Sequence, residues 1–563
     1  MIVLGAHDGH DAGACILKDG KILAAVNEER LTREKLFTGV PKLSIKEAIK
    51  IAGVRPENID SVAIAGTLGL MASLGWTDVS PRKKAYQFVC KHGGFFASSR
   101  SFANLQRLVF KQRRNKDTEK YIRSLGIDAP VEYVDHHLCH AASAYYTSGK
   151  NECLVVTSDG SGDGLSASVY KGADGVLEKV KEMPTYNSIA YFYAYVTLLS
   201  GFKMFRHEGK ITGLAAHGDP ASCYPVFENA FTYLPDAHEP KNTLGLMGED
   251  ALKKLRQMLS FTTREHWAAG IQKRTEDIME RFISDYAKIT GIPDVAVAGG
   301  IFANVRVNQK LLESPDVNSL FVHPHMGDGG IAVGAALYVS ARELANKGKG
   351  LLPYSLNNVY FGPEFSTREI GAAINEAGLE AQRIGKVESY IADMLAEKKI
   401  VGNFQGRMEY GPRALGNRSV LADPTDKSIN DWLNKRLSRT EFMPFAPSIL
   451  DTAAHEYYKN YSRGAYPSRF MTVTFDCTKE AEKAEAVMHI DRTARPQVVS
   501  MKQNPMYYRI LNEYEKRTGL PIFVNTSFNI HEEPIVCSPE DAIKSFMAGT
   551  VDILVMGDWI LEA

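Results

Sequence analysis

The chain has no excess charge of either sign, few cysteines, and no apolar run long enough to span a bilayer. Lys+Arg and Asp+Glu both number 66, so net charge gives no argument for nucleic acid or a membrane surface, and partners must be read from local sites. Seven cysteines are scattered over 563 residues with no CxxC pair, which points to reduced thiols in a cytoplasmic protein. No signal peptide precedes the first strand, and the absence of HEXXH sets a zinc protease aside. What remains, 44% hydrophobic and 23% charged, is the composition of a globular enzyme of at least two domains.

The most informative early stretch is VDHHLCHAASAYY, residues 134–146. His136 and His140 stand four apart at the start of an expected helix, on one face and one turn from each other, where two imidazoles can grip one ion. His137 lies about 100° round the same helix and is expected to point into protein or substrate. HxxxH alone also fits two buried, hydrogen-bonded histidines. SDGSGDG (158–164) and MGDGG (326–330) set Asp159 and Asp328 among glycines, so two histidines and two carboxylates can converge. Such ligation suits Fe(II), Mn(II) or Zn(II).

The chain opens with strand IVLG, then ACIL, an Asp-Gly turn at 18–21 and ILAAV, which reads as a hairpin. Between the first two strands, AHDGHDAG (6–13) carries Asp8, His10 and Asp11. His10 titrates near neutrality and suits a general base oriented by Asp8, although a surface histidine in a turn fits the same residues. CLVVTSDGSGDGLSASVY (153–170) repeats the strand, turn, strand device, which suggests two related halves. RHEGKITGLAAHG (206–218) offers Glu208 and Lys210 at a helix start, an anion-site pattern. DVAVAGGIFANVRVN (294–308) ends a buried strand in Gly299-Gly300, where backbone can lie against a nucleotide, with Asn304 just beyond. Residues 80–125 are basic and aromatic; with the chain neutral overall, an acceptor-shaping insertion is preferred there to a nucleic-acid surface.

The Gly- and Pro-containing stretch 347–358 reads as a linker. Beyond it, VGNFQGRMEYGPRALGNRSVLADP (401–424) is a strand entering a rigid loop with Arg407, Arg413 and Arg418, whose guanidinium forks suit phosphate or carboxylate. Lys435, Arg436, Arg439, Arg495, Asn525, Ser527, Asn529 and His531 add to a polyanion pocket.

In order and spacing, HDAGA, DHHLCHAASAYY, SDGSGDG, EGKITGLAAHG, AGGIFANV and the 401–424 segment resemble the NodU/CmcH family of O-carbamoyltransferases, over essentially the whole chain. The resemblance implies an α/β protein with an N-terminal actin-like ATPase (ASKHA, Kae/TsaD-like) domain over 1–350 and a C-terminal YrdC-like α/β domain over 355–563. It implies that carbamoyl phosphate and ATP, with Mg2+, give carbamoyl-adenylate and pyrophosphate in the second domain. The carbamoyl group then passes in the first domain to a hydroxyl of a sugar-containing or secondary-metabolite acceptor. By matched positions, Arg413, Asn417, Arg418, Arg495, Asn525 and Asn529 fall to carbamoyl phosphate and triphosphate, with Lys435, Arg439 and His531 beside them. His136, His140, Asp159 and Asp328 fall to the metal, Fe(II) foremost. Glu208, Lys210, Gly299, Gly300 and Asn304 face nucleotide, and His10 with Asp8 takes the hydroxyl proton. No nucleic-acid or membrane partner is expected, and a homodimer is compatible. Met443 and His531 stand where antibiotic-tailoring members tend to carry arginine, and Glu532 where they often carry glycine. An actin-fold small-molecule kinase and a tRNA threonylcarbamoyl transferase-like enzyme are the alternatives, and the acceptor is not specified by sequence.

Overall fold

The computed structural model describes residues 1–68, 116–437, 445–530 and 532–563. Strands β1 (Ile2–His7), β2 (Gly13–Lys18) and β3 (Lys21–Asn27) form an antiparallel meander. Its second turn carries Asp19 and Gly20 at φ 50° and 75°, the left-handed pair that a two-residue hairpin of this hand requires. On the other side of β1, β4 (Ser61–Ala65) and β5 (Val131–Val134) add in parallel, giving the order β3-β2-β1-β4-β5.

A second sheet repeats this plan. Strands β6 (Glu152–Gly162), β7 (Leu165–Ala173) and β8 (Val176–Pro184) form another meander, turned by Asp163-Gly164 and Asp174-Gly175 in left-handed conformation. Strands β9 (Asp294–Ala298) and β10 (Ser319–Val322) follow in parallel on the far side of β6. The order β8-β7-β6-β9-β10 reproduces the first sheet strand for strand. This duplicated topology is the actin-like ATPase arrangement, and it bears out the two related halves read from the repeated strand, turn, strand device.

Two helices lie between the sheets, α1 (His136–Thr147) and α2 (Ile331–Asn346). Residues from both helices and from both sheets form one apolar cluster, with Tyr145, Val155, Ala298, Val333 and Leu337 buried in it. Helices covered on all sides need apolar and small residues round the whole circumference rather than one stripe. Close packing depends on glycine at one crossing: a Cβ on Gly334 would lie 1.9 Å from the Cys139 carbonyl oxygen.

Residues 347–366 contain neither helix nor extended strand, only an isolated bridge from Ser355 to Ser148. Thereafter an eight-stranded mixed sheet organises the chain. Its strands are β11 (Gln382–Arg383), β12 (Val401–Phe404), β13 (Arg418–Ala422), β14 (Ala446–Leu450), β15 (Gln497–Val499), β16 (Ile522–Ser527), β17 (Ile553–Met556) and β18 (Trp559–Glu562). The order is β11-β18-β17-β12-β13-β16-β14-β15. The protein is thus α/β throughout, as expected. The core does not stop at the linker, because Tyr410, Leu415, Ala446, Phe470 and Met471 join the cluster that holds α1 and α2. No disulfide joins the cysteines among the described residues, and no described helix is long and apolar enough to cross a membrane.

Candidate functional site

Helix α1 begins where β5 ends, and its first turn is held by two carboxylates. Asp135 caps it by accepting from the Leu138 N–H at 3.0 Å. Asp163, at the left-handed turn after β6, accepts from the His136 N–H at 2.9 Å and from Thr67 and Leu68 N–H, each at 2.8 Å. This fixes His136 and His140 toward the ends of β6 and of the loop after β10. His140 Nε2 lies 3.2 Å from Asp159 Oδ2 and 3.5 Å from Asp328 Oδ1; His136 Nε2 lies 3.7 and 3.5 Å from the same oxygens. One ligand atom from each of the four falls within 4.8 Å of all the others.

The four expected residues therefore meet at one point. Burial works against a charge on His136, but Asp328 and Asp159 overcome it and raise the imidazole to about 9. Burial likewise opposes ionisation of Asp159, yet the nearby imidazoles of His136 and His140 hold its carboxyl well below the usual range. His136 Nε2 and Asp328 Oδ1 are buried and make no hydrogen bond, which is costly for two polar atoms unless something else satisfies them. Two imidazoles and two carboxylates in this arrangement fit a divalent transition metal. His137 is different: its Nε2–H donates to the Leu165 carbonyl at 3.1 Å and its Nδ1 accepts from Thr157 Oγ1 at 2.8 Å. Burial pushes it down to about 3, so it is a neutral packing residue, as its place on the helix predicted.

The glycines beside the cluster set its geometry. A Cβ on Gly162 would sit 2.0 Å from the His136 ring, so Gly162→Ala must push that ring out of register. We expect metal affinity to fall about 10- to 100-fold, the size of effect seen when a ligand's support is disturbed, measurable by competition with a chelating dye. Gly299 has φ 114°, and a Cβ there would meet the Ser158 carbonyl oxygen at 2.2 Å; one on Gly300 would lie 3.0 Å from Asp159 Oδ1. The glycine pair expected to face nucleotide thus also packs the β9 loop against the Asp159 loop.

In the first loop, Asp8 accepts from Thr118 Oγ1 at 2.7 Å, and the His10 carbonyl accepts from His7 Nε2 at 3.1 Å; the His10 ring is partly exposed. Asp11, with φ 59°, joins a relay that sequence reading did not find. His325 Nε2–H donates to Asn27 Oδ1 at 3.0 Å, and Asn27 Nδ2 donates to Asp11 Oδ1 at 3.3 Å. Burial, with Glu29 nearby, raises Asp11 well above the ordinary carboxylate range. The signal lies in HPHMGDGG, where His323 and His325 stand just before Asp328.

On the expected nucleotide side, Glu208 opens the helix Glu208–Leu214 and accepts from the Phe205 N–H at 2.6 Å. Lys210 is buried, its ammonium 5.7 Å from the Phe202 ring centre. Asn304 caps Val305–Glu313 and exchanges hydrogen bonds with Gln272, which also accepts from Tyr193.

The loop 405–417 is built round Glu409, another residue not singled out from sequence. One carboxylate oxygen accepts from Leu415, Asn417 and Arg418 N–H at 2.9, 2.7 and 3.1 Å. Of the three arginines in and bordering this loop, two serve its architecture. Arg418 is fully buried, donates to the Gln405, Gly406, Asn417 and Pro363 carbonyls, and lies 3.7 Å over the Phe404 ring. The expectation that it faces phosphate meets a guanidinium already committed to backbone. Arg407 donates to Leu23 and Phe361 carbonyls, each at 2.8 Å. Arg413 and Arg495 are half-buried and Lys435 is exposed. Asn417 accepts from Asn504 Nδ2 at 2.8 Å. Asn525 donates to Gln497 Oε1 and Ser448 Oγ at 2.8 and 3.0 Å, while its Oδ1 is buried without a hydrogen bond. Asn529 donates to the Ile530 and Glu533 carbonyls. A small pocket adjoins this network, lined in part by Tyr360, Leu415, Arg469, Gln497, Gln503 and Asn504. Arg439, Met443, His531 and residues 80–115 of the basic aromatic segment lie outside the described residues.

The loop also reaches the first site. Tyr410 donates to the Gly329 carbonyl at 3.3 Å and its ring centre is 4.9 Å from that of His325. Arg30 donates to the Gly411 carbonyl at 2.9 Å.

Two family models match the chain, "Carbamoyltransferase N-terminus" over residues 3–337 and "Carbamoyltransferase C-terminus" over residues 392–563. Nodulation protein NolNO of Sinorhizobium fredii is 34% identical, the alignment covering 98% of this chain and 79% of that protein. Uncharacterized protein MJ1051 of Methanocaldococcus jannaschii is 31% identical over 100% of this chain and 99% of its own length. Among solved structures, component A of (R)-2-hydroxyglutaryl-CoA dehydratase from Acidaminococcus fermentans is 18% identical with a TM-score of 0.35, covering 61% of this chain and 99% of that one. HypF from T. kodakarensis is 14% identical with a TM-score of 0.32, covering 62% and 48%. Both are too distant to carry a functional inference.

Proposed function

Because the chain belongs to the carbamoyltransferase family, we propose that it is an ATP- and carbamoyl phosphate-dependent O-carbamoyltransferase with two sites. Residues 355–563 form carbamoyl-adenylate and residues 1–350 transfer the carbamoyl group to a hydroxyl of a sugar-containing or secondary-metabolite acceptor. The observation that carries this reading is the meeting of His136, His140, Asp159 and Asp328 between two actin-like sheets. A kinase of this fold has no use for such a cluster, and the Arg413 loop beside it supplies a second, cationic site.

In the second unit, water attacks the phosphorus of carbamoyl phosphate, the bond from phosphorus to the carbamoyl oxygen breaks, and inorganic phosphate and carbamate result. A carbamate oxygen then attacks the α-phosphorus of ATP, held with Mg2+, and pyrophosphate leaves. Arg413, Arg495, Asn417, Asn525 and Asn529 are the side chains assigned to the phosphates and the carbamoyl amide. Arg418 acts one step back, by holding the loop that presents Arg413 and Asn417.

In the first unit, the acceptor oxygen attacks the carbamoyl carbon, the bond from that carbon to the phosphate oxygen breaks, and AMP departs. His10 takes the hydroxyl proton. Glu208, Lys210, Gly299, Gly300 and Asn304 are assigned to the adenylate. His136, His140, Asp159 and Asp328 would hold a divalent metal, Fe(II) foremost, which when bound supplies Lewis-acid polarisation of the carbamoyl carbonyl.

The test is carbamoyl phosphate-dependent exchange of labelled pyrophosphate into ATP, without acceptor. We expect exchange in the native protein and a loss on the order of 10²-fold in Arg413→Ala, the effect of removing one charge-stabilising donor. No exchange, with ADP as the product, would return the actin-fold kinase to the front.

A further inference from the structure

Glu532 stands at φ 66°, in the left-handed region that residues other than glycine adopt infrequently, and its surroundings favour it there. They do so from the other half of the chain. Arg206 Nη2 lies 2.7 Å from Glu532 Oε2, His207 Nε2–H donates to Oε1 at 2.9 Å, and Lys203 Nζ approaches Oε2 at 3.4 Å. Arg206 also donates to the Glu532 carbonyl at 3.4 Å. The tautomer of His207 agrees, because its Nδ1 accepts from the Lys203 N–H at 3.3 Å. Burial works against a charge on Glu532, and His207, Arg206 and Lys203 overcome it, holding the carboxyl at about 2.

The partner segment has a left-handed residue too. Phe205 has φ 62°, and its ring edge lies 3.9 Å from where a Cβ on Gly160 would be, next to Asp159 of the four-residue cluster. Its N–H donates to Glu208. On the opposite side, Glu532 is three residues from Asn529, and the Pro534 and Ile535 carbonyls accept from Arg33 at 2.7 Å each. Residues 203–208 therefore run from Glu532 to the edge of the metal-type cluster. Arg206, His207 and Lys203 converging on one carboxylate from the other half of the chain, between two candidate sites, mark a built junction rather than a chance surface pair.

We propose that Glu532 is a positioning residue: it latches segment 203–208 as the wall between the two sites and keeps the carbamoyl-adenylate inside until an acceptor arrives. This rests on the carbamoyltransferase reading. Without the latch, water attacks the carbamoyl carbon, the bond to the phosphate oxygen breaks, AMP leaves, and the carbamic acid formed decomposes to CO2 and ammonia.

The test compares the full-length native protein with Glu532→Gln and with the charge swap Glu532→Arg plus Arg206→Glu. In Glu532→Gln we expect pyrophosphate exchange within about twofold of native while acceptor-independent AMP release rises on the order of tenfold, a typical size for coupling between sites. The charge swap should bring AMP release back toward native. Unchanged AMP release, or exchange and release changing in proportion, overturns the proposal. A separate readout stands apart from catalysis: amide hydrogen exchange at 203–208 and 532–535 should speed up together in Glu532→Gln. If the native protein catalyses no pyrophosphate exchange but these segments loosen together, the latch stands and the carbamoyl-adenylate reading falls. If 203–208 keeps its protection, the latch itself falls.

Discussion

In His140→Ala, carbamoyl transfer should fall by on the order of 10³-fold while pyrophosphate exchange continues, because the loss of electrostatic stabilisation is confined to the step in which charge develops on the carbamoyl oxygen. The geometry motivates the split. His140 is fully buried and its Nε2 is the nearest imidazole atom to Asp159 in the cluster, so its removal leaves three ligands and a cavity. His140 stands on α1, in the first unit, whereas the residues assigned to adenylate formation all lie beyond residue 412. Metal content, transfer and exchange measured on one preparation decide the matter: retained transfer with metal lost would remove the cluster from the mechanism, and loss of exchange alongside transfer would mean that the two sites are not separable.

The second large effect is on stability. Arg418→Met should destabilise the protein by about 3–5 kcal/mol, since it strands several buried carbonyls and the Glu409 carboxylate that faces the loop. Arg418 donates to four carbonyls from two chain segments and stacks on Phe404. Burial pulls even its guanidinium down to about 10, a measure of how far from water it lies. Arg418→Lys should recover little, because one ammonium cannot reproduce a planar fork directed at several oxygens. Urea unfolding followed by circular dichroism checks this. A variant as stable as native, with exchange abolished, would instead restore Arg418 to the ligands.

These two residues show where sequence reading reaches and where it stops. His136 and His140 were legible because helical spacing alone decides that i and i+4 share a face, and the glycines round Asp159 and Asp328 announced accessible carboxylates. The hairpin turns were legible for the same local reason, since Asp-Gly demands a left-handed pair. Arg418 was not, because phosphate ligand and carbonyl clamp are chemically the same fork, and only the three-dimensional path of residues 363 and 405–417 distinguishes them. The His325–Asn27–Asp11 relay was hidden for a related reason: His325 and Asn27 lie 298 residues apart in sequence, and no periodicity reports a contact of that range. Glu409 was hidden although its partners are local, because an aperiodic loop gives no pattern that says which backbone N–H groups a carboxylate will meet. The departure at Glu532 was visible as a letter, but its meaning needed Arg206 and His207 beside it.

The apolar cluster that runs from the central helices into Tyr410, Leu415, Ala446, Phe470 and Met471 bears on timing. A chain whose halves share one close-packed interior has no slack for swinging one half against the other, since packed interiors resist continuous deformation. On the proposed two-site mechanism, the distance between the two chemistries is then set by that packing. Cutting the chain near residue 350 would expose apolar faces on both pieces, so two separately folded enzymes are not the expected product.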